Sequence, residues 1–174
     1  MWNPATVVGM SVLALCALPA AQNTRSESGW RVELRSSGGI TGRGLGGVAV
    51  QSDGAVVLMR FGVTRDRGHA WEPTCTLRWP DQVRPIAEAL EATRPETWRE
   101  RYPSSSRRGG CCDAYQWDLE VIRTATSEAA TRHRTSWTSE GPSGLPGDVS
   151  RLRAAILDVW NAAKPSCGEG PVDR

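Results

Sequence analysis

"GVAVQSDGAVVLMRF", residues 47–61, decides what kind of fold this chain can adopt. Val48 and Val50 precede the triplet Ser52-Asp53-Gly54, and Val56 and Leu58 follow it. An Asp-Gly turn between two apolar runs is a strong hairpin signal. Two strands joined this tightly must be antiparallel neighbours.

Upstream of the hairpin, "WRVELR" (30–35) alternates strictly, with Trp30, Val32 and Leu34 on one face and Arg31, Glu33 and Arg35 on the other. That is a half-buried strand. Between it and the hairpin lies "LRSSGGITGRGLGG" (34–47), in which six glycines surround one bulky apolar side chain, Ile40. On the other side, residues 62–76 show no period and read as an exposed excursion. In "WPDQVRPIAEALEATRPETW" (79–98), Val83, Ile86, Ala87 and Leu90 fall on one helical face. Pro85 then belongs in the first turn, which moves the helix start toward Arg84, and Pro95 stops the helix. Tyr115, Trp117, Leu119 and Val121 alternate with Gln116, Asp118 and Glu120 as a second clear strand, and "TRHRTSWTS" (131–139) returns beside it. A last helix has Asp148 as its cap, Val149, Leu152, Ile156, Val159 and Trp160 as its buried stripe, and Pro165 as its end. The order β-β-β-α-β-β-α predicts an α+β fold, an antiparallel sheet of four to five strands packed against two amphipathic helices.

The chain has 174 residues, which suits one domain. Its first 22 residues carry no charged side chain, and the apolar run from Thr6 to Leu18 is shorter than the roughly 20 residues of a membrane-spanning helix. Small residues at Ala17, Ala20 and Ala21 complete the pattern of a secretory signal. The expected organisation is a signal over 1–21, a flexible lead-in over 22–29, a single domain over 30–163 and a tail over 164–174. Export to a secreted or periplasmic location follows, with no membrane attachment once the signal is removed. Four cysteines remain, Cys75, Cys111, Cys112 and Cys167, and an even count in an exported chain favours disulfides. Adjacent cysteines strain a bridge, so the expectation pairs Cys75 with one of Cys111 and Cys112, and Cys167 with the other. The absence of a Cys-x-x-Cys spacing, and the distance in sequence between His69 and His133, argue against a zinc site.

Candidate chemistry is sparse. His133 falls within a strand between arginines, His69 lies in the irregular 62–76 stretch, and no G-x-S-x-G follows a strand. Asp118 and Glu120 share the outer face of a strand, where a solvated surface is the ordinary explanation. The glycines of 38–47 are followed by a strand rather than a helix, which does not suit a phosphate-cradling loop. With a formal net charge of +2 and both signs interleaved, the chain carries no footprint for nucleic acid. No catalytic group, cofactor or metal is expected. Eight tryptophans against one phenylalanine offer one alternative: Trp71, Trp79 and Trp98, near loops and helix ends, would make a non-catalytic module that binds carbohydrate or peptide.

Taken together, "SSGGI" (36–40) at the end of the first strand, the helix entered near a proline, "CCDAYQWDLEV" (111–121) and "GLPGDVSRLRAAILDVW" (144–160) resemble the emfourin family over residues 30–162. These are small bacterial protein inhibitors of thermolysin-like metallopeptidases such as protealysin. The resemblance implies an α+β inhibitor without catalytic apparatus, whose partner is a secreted thermolysin-like metallopeptidase. It carries over Ser37, Gly38, Gly39 and Ile40 as the protease-binding loop. The 62–76 stretch, the four cysteines and the signal segment are departures from the family pattern. On this reading Ile40 is presented on a backbone nearly free of side chains, so that it enters a protease cleft as an extended substrate would.

Overall fold

The computed structural model describes residues 29–39, 44–64, 68–103, 114–124, 129–138 and 144–168. The alternating sequences form β1 (Gly29–Gly38), β2 (Gly46–Gln51), β3 (Ala55–Thr64), β5 (Tyr115–Thr124) and β6 (Thr131–Thr138), and a further strand, β4 (Gly68–Arg78), follows β3. Helix α1 (Arg84–Glu91) and a 3-10 turn at Pro95–Thr97 stand between β4 and β5, and α2 (Gly147–Ser166) follows β6. The strands form one antiparallel sheet in the order β4-β3-β2-β1-β5-β6. The α+β architecture is as expected, with six strands among the described residues in place of four to five.

The β2–β3 hairpin closes at the expected Asp-Gly turn. Gly54 adopts φ 85°, its amide donates to the Gln51 carbonyl at 3.0 Å, and Asp53 Oδ1 accepts the Ala55 amide at 3.0 Å. Positive φ at this position is what an Asp-Gly turn supplies. β1 lies in the middle of the sheet, where Leu34 is in register with Val48 on one side and Leu119 on the other. Val32, Leu34, Val48, Val50, Val56, Leu58, Leu119 and Val121 make one fully buried face. Both helices cover it. α1 contributes Ile86, Ala89 and Leu90, and α2 contributes Val149, Leu152, Ile156, Val159 and Trp160, which is the stripe its spacing predicts. Pro85 sits in the first turn of α1, as its missing N–H requires.

The 62–76 stretch is corrected from an excursion to strand. β3 runs on to Thr64, and β4 returns along it from Gly68 to Arg78. Its pattern was hidden by a bulge. The register passes from Leu58↔Cys75 to Met59↔Pro73, leaving Thr74 as an extra residue whose hydroxyl donates to the Leu58 carbonyl at 3.3 Å. One inserted residue reverses the alternation. Trp71 and Pro73 therefore share a face with Phe61 and Met59, while Cys75 and Leu77 turn with Leu58 and Val56 toward the helices. Pro73 is tolerated because β4 is an edge strand.

Two features of α2 also differ from expectation. Pro146 holds the N-cap position, and Asp148 lies inside the first turn without capping it. Pro165 is inside the last turn rather than beyond it. The disulfide joins Cys75 to Cys167, with Cα atoms 5.9 Å apart, and this overturns the pairing of either cysteine with Cys111 or Cys112. The cause is the unexpected strand, which turns Cys75 inward beneath the C-terminal end of α2. Cys111 and Cys112 lie outside the described residues.

Candidate functional site: a glycine neck between β1 and β2

β1 and β2 run side by side to Ser36↔Gly46, and β1 continues along β5 to Gly38↔Tyr115. The connection between them then narrows to a neck. The Gly44 amide donates to the Gly38 carbonyl at 2.8 Å, closing the chain on itself across residues 39–43. On its outer side the Gly39 amide donates to the Ala114 carbonyl at 3.4 Å, which ties the neck to the start of β5. Ser36 is fully buried beneath it, and its Oγ accepts the Leu45 amide at 3.4 Å.

Glycine is required here for two separate reasons. Gly38 turns the chain out of β1 at φ 87°, a conformation costly to any residue with a side chain. Gly44, at φ 69°, passes so close to β1 that a Cβ would stand 2.0 Å from the Ser36 carbonyl oxygen. The segment is glycine-rich because its two limbs touch backbone to backbone. Residues 40–43, Ile40 among them, lie outside the described residues. Of the four motif residues, Ser37, Gly38 and Gly39 are therefore placed at the outgoing limb of the neck. Ser36, Gly44 and Leu45 complete the neck and lie outside the four-residue motif. A signal was present in the second glycine cluster, "GRGLGG", which mirrors "SGG" across Ile40.

The neck rests on a tryptophan floor. Trp160 of α2 lies 3.6 Å from the position of a Gly46 Cβ. Its ring meets Trp117 edge-on at 6.3 Å, and Trp117 stacks with Trp137 at 6.5 Å. All three are buried. Arg153 lies over Trp117 at 5.3 Å, where desolvation by burial lowers its pKa. Such rigid aromatic packing fixes the strands from which the loop departs.

The remaining candidates fall elsewhere. Arg31, Glu33 and Arg35 occupy the face turned away from the helices, where Glu33 is only 5% exposed and is ion-paired to both arginines. Arg35 is itself partly desolvated, which lowers its pKa, and it stands 5.9 Å over the Trp71 ring. Asp118 pairs with Arg134 at 2.8 Å and Glu120 with Arg132 at 3.4 Å, so both carboxylates belong to a lattice of ion pairs. Trp98 Nε1 donates to Asp148 Oδ2 at 2.9 Å, and Trp79 packs against the core. His69 lies on β4 and His133 on β6, in strands at opposite edges of the sheet. Among the described residues no three His, Cys, Asp or Glu side chains cluster as a metal site would need, and no helix is long and apolar enough to cross a membrane. Compared with known proteins, the chain matches no family model and no curated sequence.

Proposed function

We propose that this chain is an exported, non-catalytic inhibitor of thermolysin-like metallopeptidases that enters the protease cleft through the loop around Ser37, Gly38, Gly39 and Ile40. The resemblance of its motifs to the emfourin family motivates the reading, and one observation carries it physically. The loop leaves the sheet through a neck closed by the 2.8 Å hydrogen bond from Gly44 to Gly38. A flexible glycine segment makes a good substrate and a poor inhibitor, because ordering it on binding costs entropy. A neck clamped to β1 and β5 removes part of that cost beforehand. It also holds the two sides of a cleaved bond close together, which favours resealing over release. The resemblance implies a protease that favours a bulky apolar residue after the scissile bond, and Ile40 supplies one. The Cys75–Cys167 bridge suits the oxidising compartment in which a secreted protease would be met.

The test is a titration of the chain lacking residues 1–21 into a thermolysin-type protease assay, with Ile40→Asp in parallel. The expected outcome is stoichiometric inhibition by the wild type and a loss of roughly 100-fold or more in the variant, as for a central anchor residue. A wild type that leaves the protease untouched ends the proposal. Equal inhibition by both proteins ends only the role of Ile40.

A further inference from the structure

β6 is the edge of the sheet opposite β4, and its outward side is only partly used. The chain itself lays a short segment along it. Ser136 donates its amide to the Glu100 carbonyl at 3.0 Å and accepts the Tyr102 amide at 2.8 Å, a parallel bridge centred on Arg101. Outward peptide groups recur at every second residue of a strand, so those of Arg134 and Arg132 point the same way as those of Ser136. Among the described residues nothing pairs with them. Beside them lies a groove of about 710 Å³, lined by β6 from Arg132 to Ser136, by Asp118 and Glu120 of β5, and by the segment from Pro95 to Glu100.

The charge of this groove is not balanced. Arg132 and Arg134 are engaged by Glu120 and Asp118 on the sheet face. Glu96 and Glu100 are exposed, and among the described residues neither forms an ion pair. The nearby Arg101 turns to Gln116, and Arg99 lines a different hollow with Tyr102 and Pro103. With Asp118 and Glu120 neutralised by Arg134 and Arg132, Glu96 and Glu100 leave the groove with an excess of negative charge beside the β6 edge.

We propose that this groove binds an extended, basic peptide segment of a partner protein as an added strand on β6. Main-chain bonds to Arg132 and Arg134 supply affinity, and Glu96 and Glu100 select lysine or arginine side chains. The site shares no residue with the β1–β2 loop and stands or falls independently of protease inhibition.

Fluorescence anisotropy with a labelled Lys-Val-Lys-Val-Lys-Val-Lys peptide tests this. Two further peptides carry N-methyl groups on the valines only or on the lysines only. A strand presents alternate amides to its neighbour, so one methylated peptide should lose binding about 10-fold or more while the other keeps it. A Glu-Val analogue should bind at least 10-fold more weakly. The exposed pair Glu96→Gln and Glu100→Gln should weaken the parent peptide about fivefold without disturbing the fold. No binding at about 1 mM peptide, a range where a weak strand addition still registers, would overturn the inference. So would equal binding of both methylated peptides, or of the acidic analogue.

Discussion

β1 and β4 are strands of nearly equal length, 10 and 11 residues, in one sheet, yet they are held in place by different means. β1 is central. It has a ladder on each side, and its inward residues Val32, Leu34 and Ser36 are fully buried. β4 is an edge with one ladder, a bulge and a proline, and a disulfide binds it to the end of α2. A central strand is specified by burial, which acts through every second residue. An edge strand buries less, and here a covalent link supplements the lost contacts. The loop proposed to carry function springs from β1, the better-held of the two.

The comparison predicts unequal costs for disturbing the two strands. Leu34 is fully buried between Val48 and Leu119, so Leu34→Ala should lower stability by about 4 kcal/mol, combining lost burial with a cavity. Urea denaturation measures this, and a loss below about 1 kcal/mol would mean that the central strand repacks freely. At β4, replacing Cys75 and Cys167 together by alanine removes a link between residues 92 apart in sequence. The expected loss is about 3 kcal/mol, read as a lower urea midpoint than that of the oxidised wild type. A double variant as stable as the wild type would show that the edge strand needs no staple.

The same contrast explains what could be read from sequence. β1, β2, β5 and β6 announce themselves because burial imposes a period of two on "WRVELR" and "YQWDLEV", and α2 does so through its stripe from Val149 to Trp160. β4 was illegible because the bulge at Thr74 puts Trp71 and Pro73 on one face and Cys75 and Leu77 on the other, so residues of equal parity point in opposite directions. The disulfide was lost with it, since a pairing argued from spacing cannot see a strand it has not placed. At the candidate site, Ser37 to Ile40 stood out as a motif. Gly44 did not, because its need for glycine comes from the β1 backbone, whose Ser36 carbonyl oxygen would stand 2.0 Å from a Cβ placed there.

Gly44→Ala separates the neck from the strands that carry it. The methyl group cannot be placed without moving Gly44 away from Ser36, and positive φ adds strain, so about 2 kcal/mol should be lost, chiefly at the neck. Hydrogen exchange should accelerate at the Gly44 and Leu45 amides while those of β1 at Val32 and Leu34 stay protected. Under the inhibitor reading the variant should become a substrate, cut within the loop by the protease it no longer blocks. An unchanged exchange rate at Gly44 would mean that the 2.8 Å bond is not what closes the loop.

The smallest effect concerns α2, which spans the distance between the two strand systems and is tied at both ends. Its last turn is bound to β4 by Cys167, while its first turn holds the Pro95–Thr97 region through Asp148. Partial burial by itself would raise the Asp148 pKa. Hydrogen bonds from Trp98 Nε1 and from the Val149 and Arg94 amides outweigh it, so the carboxyl titrates below its ordinary 3.8. A group whose pKa is depressed on folding stabilises the fold above its unfolded pKa and loses that contribution as pH falls through the folded value. Asp148→Asn should therefore cost about 1 kcal/mol at neutral pH, and its gap to the wild type should close below pH 4 or so. The first-turn position adds to the charge effect, since a carboxylate there also faces the positive end of the helix dipole. A gap that persists unchanged at pH 3 would mean that packing of the Trp98 ring, rather than the charge accepting its N–H, holds this end of α2. The two ends of the helix would then be secured by apolar contact and a covalent bond, with no electrostatic part.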